Sequence, residues 1–99
     1  MDKLELAKSC LLNIFDNEKV EDLFKFFTKD TIYYNIDKKE NLSIVEMAKF
    51  IKNYQNFNVR WLESAVCVKA VLEKANESLH IYFECKRNRI IRLEFGADF

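Results

Sequence analysis

The stretch "LHIYFECKRNRIIRLEF", residues 79–95, contains the pattern that decides the fold. On both sides of the polar triplet "KRN", apolar and polar side chains alternate, which is typical of β-strands with one buried face. The two runs therefore predict an antiparallel hairpin with Lys86–Arg87–Asn88 as its loop. Asn88 is expected in the left-handed backbone conformation, which Asn tolerates better than most residues.

The residues before this hairpin extend the pattern to a third strand. A two-residue loop at Asn76–Glu77 places Leu72 opposite Ile81, and the second hairpin places Phe83 opposite Ile91. A slip of one residue would move every side chain to the other face of the sheet. In the predicted register the inward face is uniformly apolar and consists of Val68, Ala70, Leu72, Leu79, Ile81, Phe83, Cys85, Ile91, Leu93 and Phe95.

The first half of the chain reads as helices around one strand. Asp2 followed by Glu5 is a capping-box pattern that predicts a helix start, and Asn17 is expected to cap a second helix. The strand is predicted at "TIYYNI" (31–36), and a polar loop follows at "DKKEN" (37–41). The apolar stripe predicted for the second helix consists of Val20, Leu23, Phe24 and Phe27.

A third helix and a long β-region complete the chain. Ser43 and Glu46 form a second capping-box pattern, so a helix is predicted from Ile44 to about Gln55. Residues 57–74 are too long for one straight strand, and a bend or break is expected near Glu63–Ser64. The only glycine, Gly96, is expected to supply a bend, a bulge or a positive φ that turns residues 97–99 back over the core. The alternative is a frayed tail.

Composition limits the class of protein. Ninety-nine residues make one domain, residues 1–99, and sixteen charges of each sign give a net charge of zero. Neither a nucleic-acid partner nor a membrane is indicated, because there is no basic excess and no apolar run of about 20 residues. Three widely spaced cysteines argue against a disulfide framework and for the reducing cytoplasm.

The order of elements resembles the nuclear transport factor 2-like superfamily, including its SnoaL-like branch. Two stretches carry the resemblance: "VEDLFKFFTKDTIYYNI" (20–36), where a helix leads into an aromatic strand, and "KRNRIIRLEFGADF" (86–99), the closing hairpin. Asn88 stands where that hairpin usually has Gly, and "GADF" departs from the common ending, so Asp98 matches the family's terminal Asp only loosely. The resemblance implies a cystatin-like α+β cone, with N-terminal helices packed on a curved antiparallel sheet.

The same resemblance implies a pocket between the helices and the concave sheet face. The candidate pocket residues are Tyr33, Tyr34, Asn35, Trp61 and Phe83. One of the two tyrosines is expected to point inward and the other outward. Because large side chains could fill a cone of this length, ordinary core packing is the alternative interpretation.

Members that resemble ketosteroid isomerase use an Asp base on the first strand and a Tyr on the first helix. Asn35 and Leu11 stand at these positions, and neither can perform the acid–base role. We therefore expect a binding protein that takes a small apolar ligand or a protein partner. A SnoaL-like enzyme of the isomerase or hydrolase class, with an unrecognised active site, is the alternative.

The remaining candidates concern metals, thiols and assembly. His80 between Glu73 and Glu94 reads as a surface charge cluster, so no metal or cofactor is expected. Cys85 is expected to be an inert thiol. The mixed outer face of the sheet suggests a homodimer, as in many members of the superfamily, although an ordinary solvated face is the alternative. The interface candidates are Val71, Tyr82, Ile90 and Arg92.

Overall fold

A computed structural model describes residues 1–16 and 19–97. It contains two α-helices, one 3₁₀ helix and six strands. In chain order these are α1 (Lys3–Asp16), the 3₁₀ helix (Val20–Phe26), β1 (Phe27–Asn35), β2 (Glu40–Leu42), α2 (Ile44–Lys52), β3 (Asn58–Glu63), β4 (Cys67–Lys74), β5 (Glu77–Lys86) and β6 (Arg89–Gly96).

The six strands form one sheet in the order β2-β1-β6-β5-β4-β3, and the helices pack on one of its faces. The predicted α+β architecture is therefore confirmed. The sheet is mixed, however, because β1 and β6 pair in parallel while the other neighbours pair antiparallel. The break expected near Glu63–Ser64 separates β3 from β4, and the loop predicted at 37–41 overlaps the first two residues of β2.

The β4–β5 hairpin turns one residue earlier than predicted. Its loop is Ala75–Asn76, with Ala75 at a φ of 54°, and Leu72 pairs with Leu79. The partners thus differ by two residues from the predicted Leu72–Ile81 pairing. Because side chains alternate with a period of two, an even shift leaves each of them on its predicted face.

The β5–β6 hairpin differs from its predicted register in a way that moves one side chain to the other face of the sheet. Its loop is Arg87–Asn88, with φ values of 51° and 63°, which confirms Asn88 in the left-handed conformation. A bulge shifts the register between Glu84 and Cys85, so that Cys85 pairs with Ile90. The predicted outward position of Ile90 was therefore wrong, since this side chain is 0% exposed within the core.

Both predicted helix starts are confirmed by their hydrogen bonds. The Glu5 backbone N–H donates to Asp2 Oδ1 over 2.8 Å at the start of α1. At the start of α2, the Glu46 N–H donates to Ser43 Oγ and the Ser43 N–H donates to Glu46 Oε1. Helix α2 ends at Lys52, a few residues before the predicted end at Gln55.

The second helix is a 3₁₀ helix rather than an α-helix. Its inward residues recur every three positions, at Val20, Leu23 and Phe26, which matches the three residues per turn of a 3₁₀ helix. Phe24 is 56% exposed, and Phe27 belongs to β1, so the predicted stripe was wrong at these two positions. The cap predicted at Asn17 lies outside the described residues.

Gly96 is needed for close approach and not for backbone freedom. Its φ is not positive, so of the three predicted alternatives, a bend, a bulge or a positive φ, the last was wrong. A Cβ at this position would lie 2.9 Å from Asp37 Oδ1. The same carboxylate accepts a hydrogen bond from the Ala97 N–H over 2.8 Å through Oδ2. The final residues, Asp98 and Phe99, lie outside the described part of the chain.

Candidate functional site

The inward face of the sheet is packed against the helices. Phe83, Ile81 and Leu93 are 0% exposed and belong to one core cluster with Leu11 of α1 and Met47 of α2. Leu11, at the position of the isomerase Tyr, is thus a core residue. This packing places Phe83 in the interior and leaves the rim of the sheet as the accessible region of this face.

The predicted pocket residues do not come together in one site. Tyr33 points inward on β1, Tyr34 lies on the opposite face, and Asn35 is buried with 3% exposure. Trp61 contacts Phe83 across β4, with 6.1 Å between the ring centroids. Because β3 and β1 lie in different halves of the sheet, Trp61 is distant from the two tyrosines.

Asn35 has a structural role at the end of β1. Its side-chain Oδ1 accepts a hydrogen bond from the Lys38 backbone N–H over 3.1 Å. This bond closes the turn that leads into β2, where a short amide side chain can replace a backbone acceptor.

A cleft opens where β1, the 3₁₀ helix and the start of α2 meet. Its volume is about 420 Å³, and its lining residues are Phe24, Phe27, Thr28, Lys29, Tyr33 and Ile44. Of the predicted pocket residues only Tyr33 belongs to it. Its walls are mainly apolar, and the exposed Phe24 ring stands at the rim.

The polar wall of this cleft is an irregular segment of β1. The register shifts between Phe27 and Ile32, and the Thr28 N–H donates to Thr31 Oγ1 over 2.8 Å. The Thr31 hydroxyl in turn donates to the Ile90 carbonyl of β6 over 2.8 Å. These bonds fix the bulge that carries Thr28 and Lys29 into the cleft.

Tyr33 supplies a neutral phenol at neutral pH. Burial, with a smaller contribution from the nearby Cys10, raises the pKa of Tyr33 from 10.0 to about 12. The Phe27 ring packs edge-on against the Tyr33 ring with centroids 5.1 Å apart. The phenol can therefore act as a hydrogen-bond donor or acceptor, but it does not ionise under ordinary conditions.

The thiols are held in their protonated forms. Burial raises the pKa of Cys85 to about 11, with the neighbouring Cys67 contributing, and it raises the pKa of the fully buried Cys10 far above its usual range. Burial also raises the pKa of Cys67. A protonated thiol is a weak nucleophile, so these groups do not suggest covalent chemistry.

The outer face of the sheet carries charges and partly exposed aromatic rings. The Lys69 ammonium lies 5.0 Å from the centroid of the Tyr82 ring, and Arg92 forms an ion pair with Glu94. Val71 also lies on this face, yet it is only 2% exposed because neighbouring side chains cover it.

The described part of the chain contains neither a metal-binding cluster nor a membrane-spanning helix. Within residues 1–16 and 19–97, no group of three or more His, Cys, Asp or Glu side chains could hold a metal ion. None of the described helices is long and apolar enough to cross a bilayer.

Of the residues that line the cleft, all but Tyr33 were absent from the pocket predicted from the sequence. Phe24 and Phe27 were expected in a buried helical stripe, and Ile44 at a helix start. The available signal was local: Thr28 and Thr31 bracket Lys-Asp inside a strand-prone run, which is compatible with a hydroxyl-stabilised bulge.

Comparison with known proteins identifies similar structures but no similar sequence. No family model matches the chain, and no curated protein does. A nuclear transport factor 2-like protein of unknown function from Cytophaga hutchinsonii superposes with a TM-score of 0.71 at 9% identity, covering 99% of this chain and 91% of that chain. A candidate SnoaL-like polyketide cyclase from Shewanella putrefaciens gives 0.73 at 10% identity, with coverages of 99% and 81%. A candidate ketosteroid isomerase from Kribbella flavida gives 0.65 at 16% identity, with coverages of 96% and 76%.

Proposed function

We propose that this chain, which has the nuclear transport factor 2-like fold, is a binding protein that holds a small apolar molecule in the cleft beside β1. The observation that carries the proposal is the cleft itself, about 420 Å³ in volume and walled by Phe24, Phe27, Tyr33 and Ile44. Small-molecule sites usually measure about 300–1,000 Å³ and are lined mainly by apolar side chains.

The exposed Phe24 ring explains why a ligand would be favoured. This side chain is 56% exposed, so a ligand that covers it removes apolar surface from water. Covering about 200 Å² of apolar surface supplies roughly 5 kcal/mol before the costs of association are subtracted. An affinity in the micromolar to millimolar range is therefore expected.

Three polar groups would orient the ligand. The Lys29 ammonium favours a molecule with an anionic or strongly accepting end, while the Thr28 hydroxyl and the neutral Tyr33 phenol can exchange hydrogen bonds with it. The ligand that these groups favour is thus a small apolar or aromatic molecule with one acidic group.

Binding is favoured over catalysis by the chemistry of the lining. No carboxylate or imidazole is among the cleft residues that the structure describes. Asn35 caps a turn and Leu11 packs in the core, so neither supplies the isomerase acid or base. The rival is a SnoaL-like enzyme that acts through the Lys29 and Tyr33 side chains.

A fluorescence titration with 1-anilinonaphthalene-8-sulfonate tests the cleft, because this probe combines apolar rings with one anionic group. Phe24→Ala should weaken binding about tenfold while the protein stays folded. Leu12→Ala is the matched control, since Leu12 is 59% exposed on α1 and does not line the cleft. Equal affinities for the two variants would contradict the proposal.

Native mass spectrometry of protein purified from cells complements the titration. A discrete adduct gives the mass of the natural ligand and should be lost in Phe24→Ala. An adduct retained unchanged in that variant would place the ligand elsewhere.

We also propose that the outer face of the sheet is a homodimer interface. Its central residues, Tyr82 and Arg92, are partly exposed, and the Arg92–Glu94 ion pair is self-complementary across a twofold axis. Leu62 and Ile32, which are 46% and 40% exposed, lie on the same face and add apolar surface. Ile90 is excluded from this interface because it lies in the core.

Sedimentation velocity tests the dimer. Tyr82→Glu should convert the protein to a monomer, because it introduces a charge at the centre of the proposed interface. Leu12→Glu is the control, since it adds the same charge on an exposed helix position away from the sheet. A dimer that survives Tyr82→Glu, or a wild-type monomer, would contradict this proposal.

A further inference from the structure

Two adjoining clefts lie at the tip of the β5–β6 hairpin, at the other end of β6 from Gly96. Their volumes are about 340 Å³ and about 490 Å³. They share the lining residues Met1, Leu6 and Asn88, so they lie side by side, and we call the pair the basal trough. None of its lining residues belongs to the apolar cleft beside β1.

The basal trough is lined by cations on both sides of the shared residues. Lys3, Lys86 and Arg87 line the smaller cleft. Lys25 and Arg89 line the larger cleft. Among the lining residues that the structure describes there is no Asp or Glu, although the protein as a whole has equal numbers of acidic and basic residues.

Most of these cations have no carboxylate partner in the part of the chain that the structure describes. Lys3 forms an ion pair with Glu63 over 2.8 Å. Within residues 1–16 and 19–97, the other four form no ion pair. Lys25 lies 5.3 Å from the centroid of the Phe26 ring, and the Arg89 guanidinium donates to the Asn88 carbonyl over 2.9 Å. The positive charge of the trough is therefore not neutralised locally.

The hairpin holds part of this charge on an ordered frame. Lys86 and Arg89 are the last paired residues of the ladder, and Arg87 and Asn88 form the left-handed two-residue turn between them. Such a turn matches the twist of the flanking strands and restricts the backbone. Ordering the loop is thus not an added cost of ligand binding.

We propose that the basal trough binds a small molecule that carries a chain of two or more phosphate groups. Cations on both sides of the shared residues suit a ligand with several negative charges spread along its length. The arginine guanidinium groups can contact phosphate oxygens in pairs, and the lysine ammonium groups add point charges.

Two macromolecular ligands fit the trough less well. A single nucleic-acid strand needs exposed aromatic rings for base stacking, but Phe26 is only 4% exposed. A bilayer needs several protruding apolar side chains, whereas among the described lining residues Met1 alone is a large apolar residue that is exposed, and Leu6 is 4% exposed.

The experiment is an NMR titration of the whole chain with ATP in the absence of Mg²⁺, with adenosine as the uncharged probe. The amide signals of Leu6, Arg87, Asn88 and Arg89 should shift and saturate with ATP, at a dissociation constant of about 1 mM or below. Adenosine should leave these signals unchanged.

Two charge-reversal variants form a matched pair. Arg87 and Lys39 are both exposed turn residues with positive φ, 51° and 55°. Arg87→Glu should weaken ATP binding about tenfold or more, whereas Lys39→Glu in the turn before β2 should change it less than about twofold. The rest of each spectrum reports whether the variant is folded.

Four outcomes would overturn the proposal. These are the absence of saturable shifts with ATP, equal shifts with adenosine, equal weakening by both variants, and binding of a ten-residue oligothymidylate about a hundredfold more tightly than ATP. The last result would identify a nucleic-acid strand as the ligand. None of these outcomes bears on the apolar cleft, which has its own probe and its own variants.

Discussion

Phe83 and Phe24 have the same side chain, but one is buried and the other is exposed. Phe83 lies at the centre of β5 and is 0% exposed, whereas Phe24 lies on the 3₁₀ helix at the rim of a cleft and is 56% exposed. The first ring fills the space that the resemblance assigned to a pocket. The second remains available to a ligand. The comparison indicates that in this short chain the interior stabilises the fold, whereas the proposed binding surface lies outside it, in the cleft beside β1.

Truncating each ring gives the largest expected contrast. Phe83→Ala should lower the free energy of unfolding by about 3–5 kcal/mol, because it removes a fully buried ring and leaves a cavity beside Trp61. Phe24→Ala should lower it by less than about 1 kcal/mol. Urea denaturation followed by circular dichroism measures both values. Similar losses for the two variants would show that Phe24 is also part of the core.

Gly96→Ala tests a smaller feature at the other end of the sheet. The added methyl group would lie 2.9 Å from Asp37 Oδ1, so the carboxylate must move and its hydrogen bond from Ala97 must weaken. We expect a loss of about 1–2 kcal/mol in the free energy of unfolding. In an Asp37→Ala background the same substitution should cost less, since the contact is gone. An equal cost in both backgrounds would contradict this account of the glycine.

The smallest expected effect is a pH dependence that originates at the cleft. The pKa of Tyr33 is raised in the folded protein from 10.0 to about 12, so above pH 10 the unfolded chain releases this proton more readily. Stability from this group is fully present below pH 10 and is lost as the pH rises towards 12. Tyr33→Phe should therefore flatten the decline of stability between pH 10 and 12 in thermal melts, compared with Tyr34→Phe. If stability declined equally in Tyr33→Phe and in the wild type, the pH dependence could not be attributed to Tyr33.

The predictable parts of this fold are those that side-chain alternation and helix capping specify locally. The Asp2 and Ser43 caps, the break before β4 and the left-handed Asn88 were predicted and are observed. The superfamily resemblance is likewise confirmed at the level of fold by structures that share little sequence identity. The two caps, the break before β4 and the conformation of Asn88 each depend on a few neighbouring residues.

The candidate site was predictable only in part. Tyr33 was among the predicted pocket residues and does line a cleft, but Trp61 and Phe83 pack elsewhere. Whether an inward aromatic side chain fills the interior or borders an opening depends on distant elements. For Tyr33 these elements are the 3₁₀ helix and the first residue of α2. No local pattern contains that information.

The sequence by itself determined the apolar and polar faces of β4 and β5, because the period of two follows from the strand backbone and the hydrophobicity of each residue. Only the tertiary structure decided where each hairpin turns, that a bulge carries Ile90 into the core, and that Gly96 meets Asp37. The physical reason is that neighbouring turn positions differ little in local free energy. Packing against the helices and the parallel β1 strand selects among them.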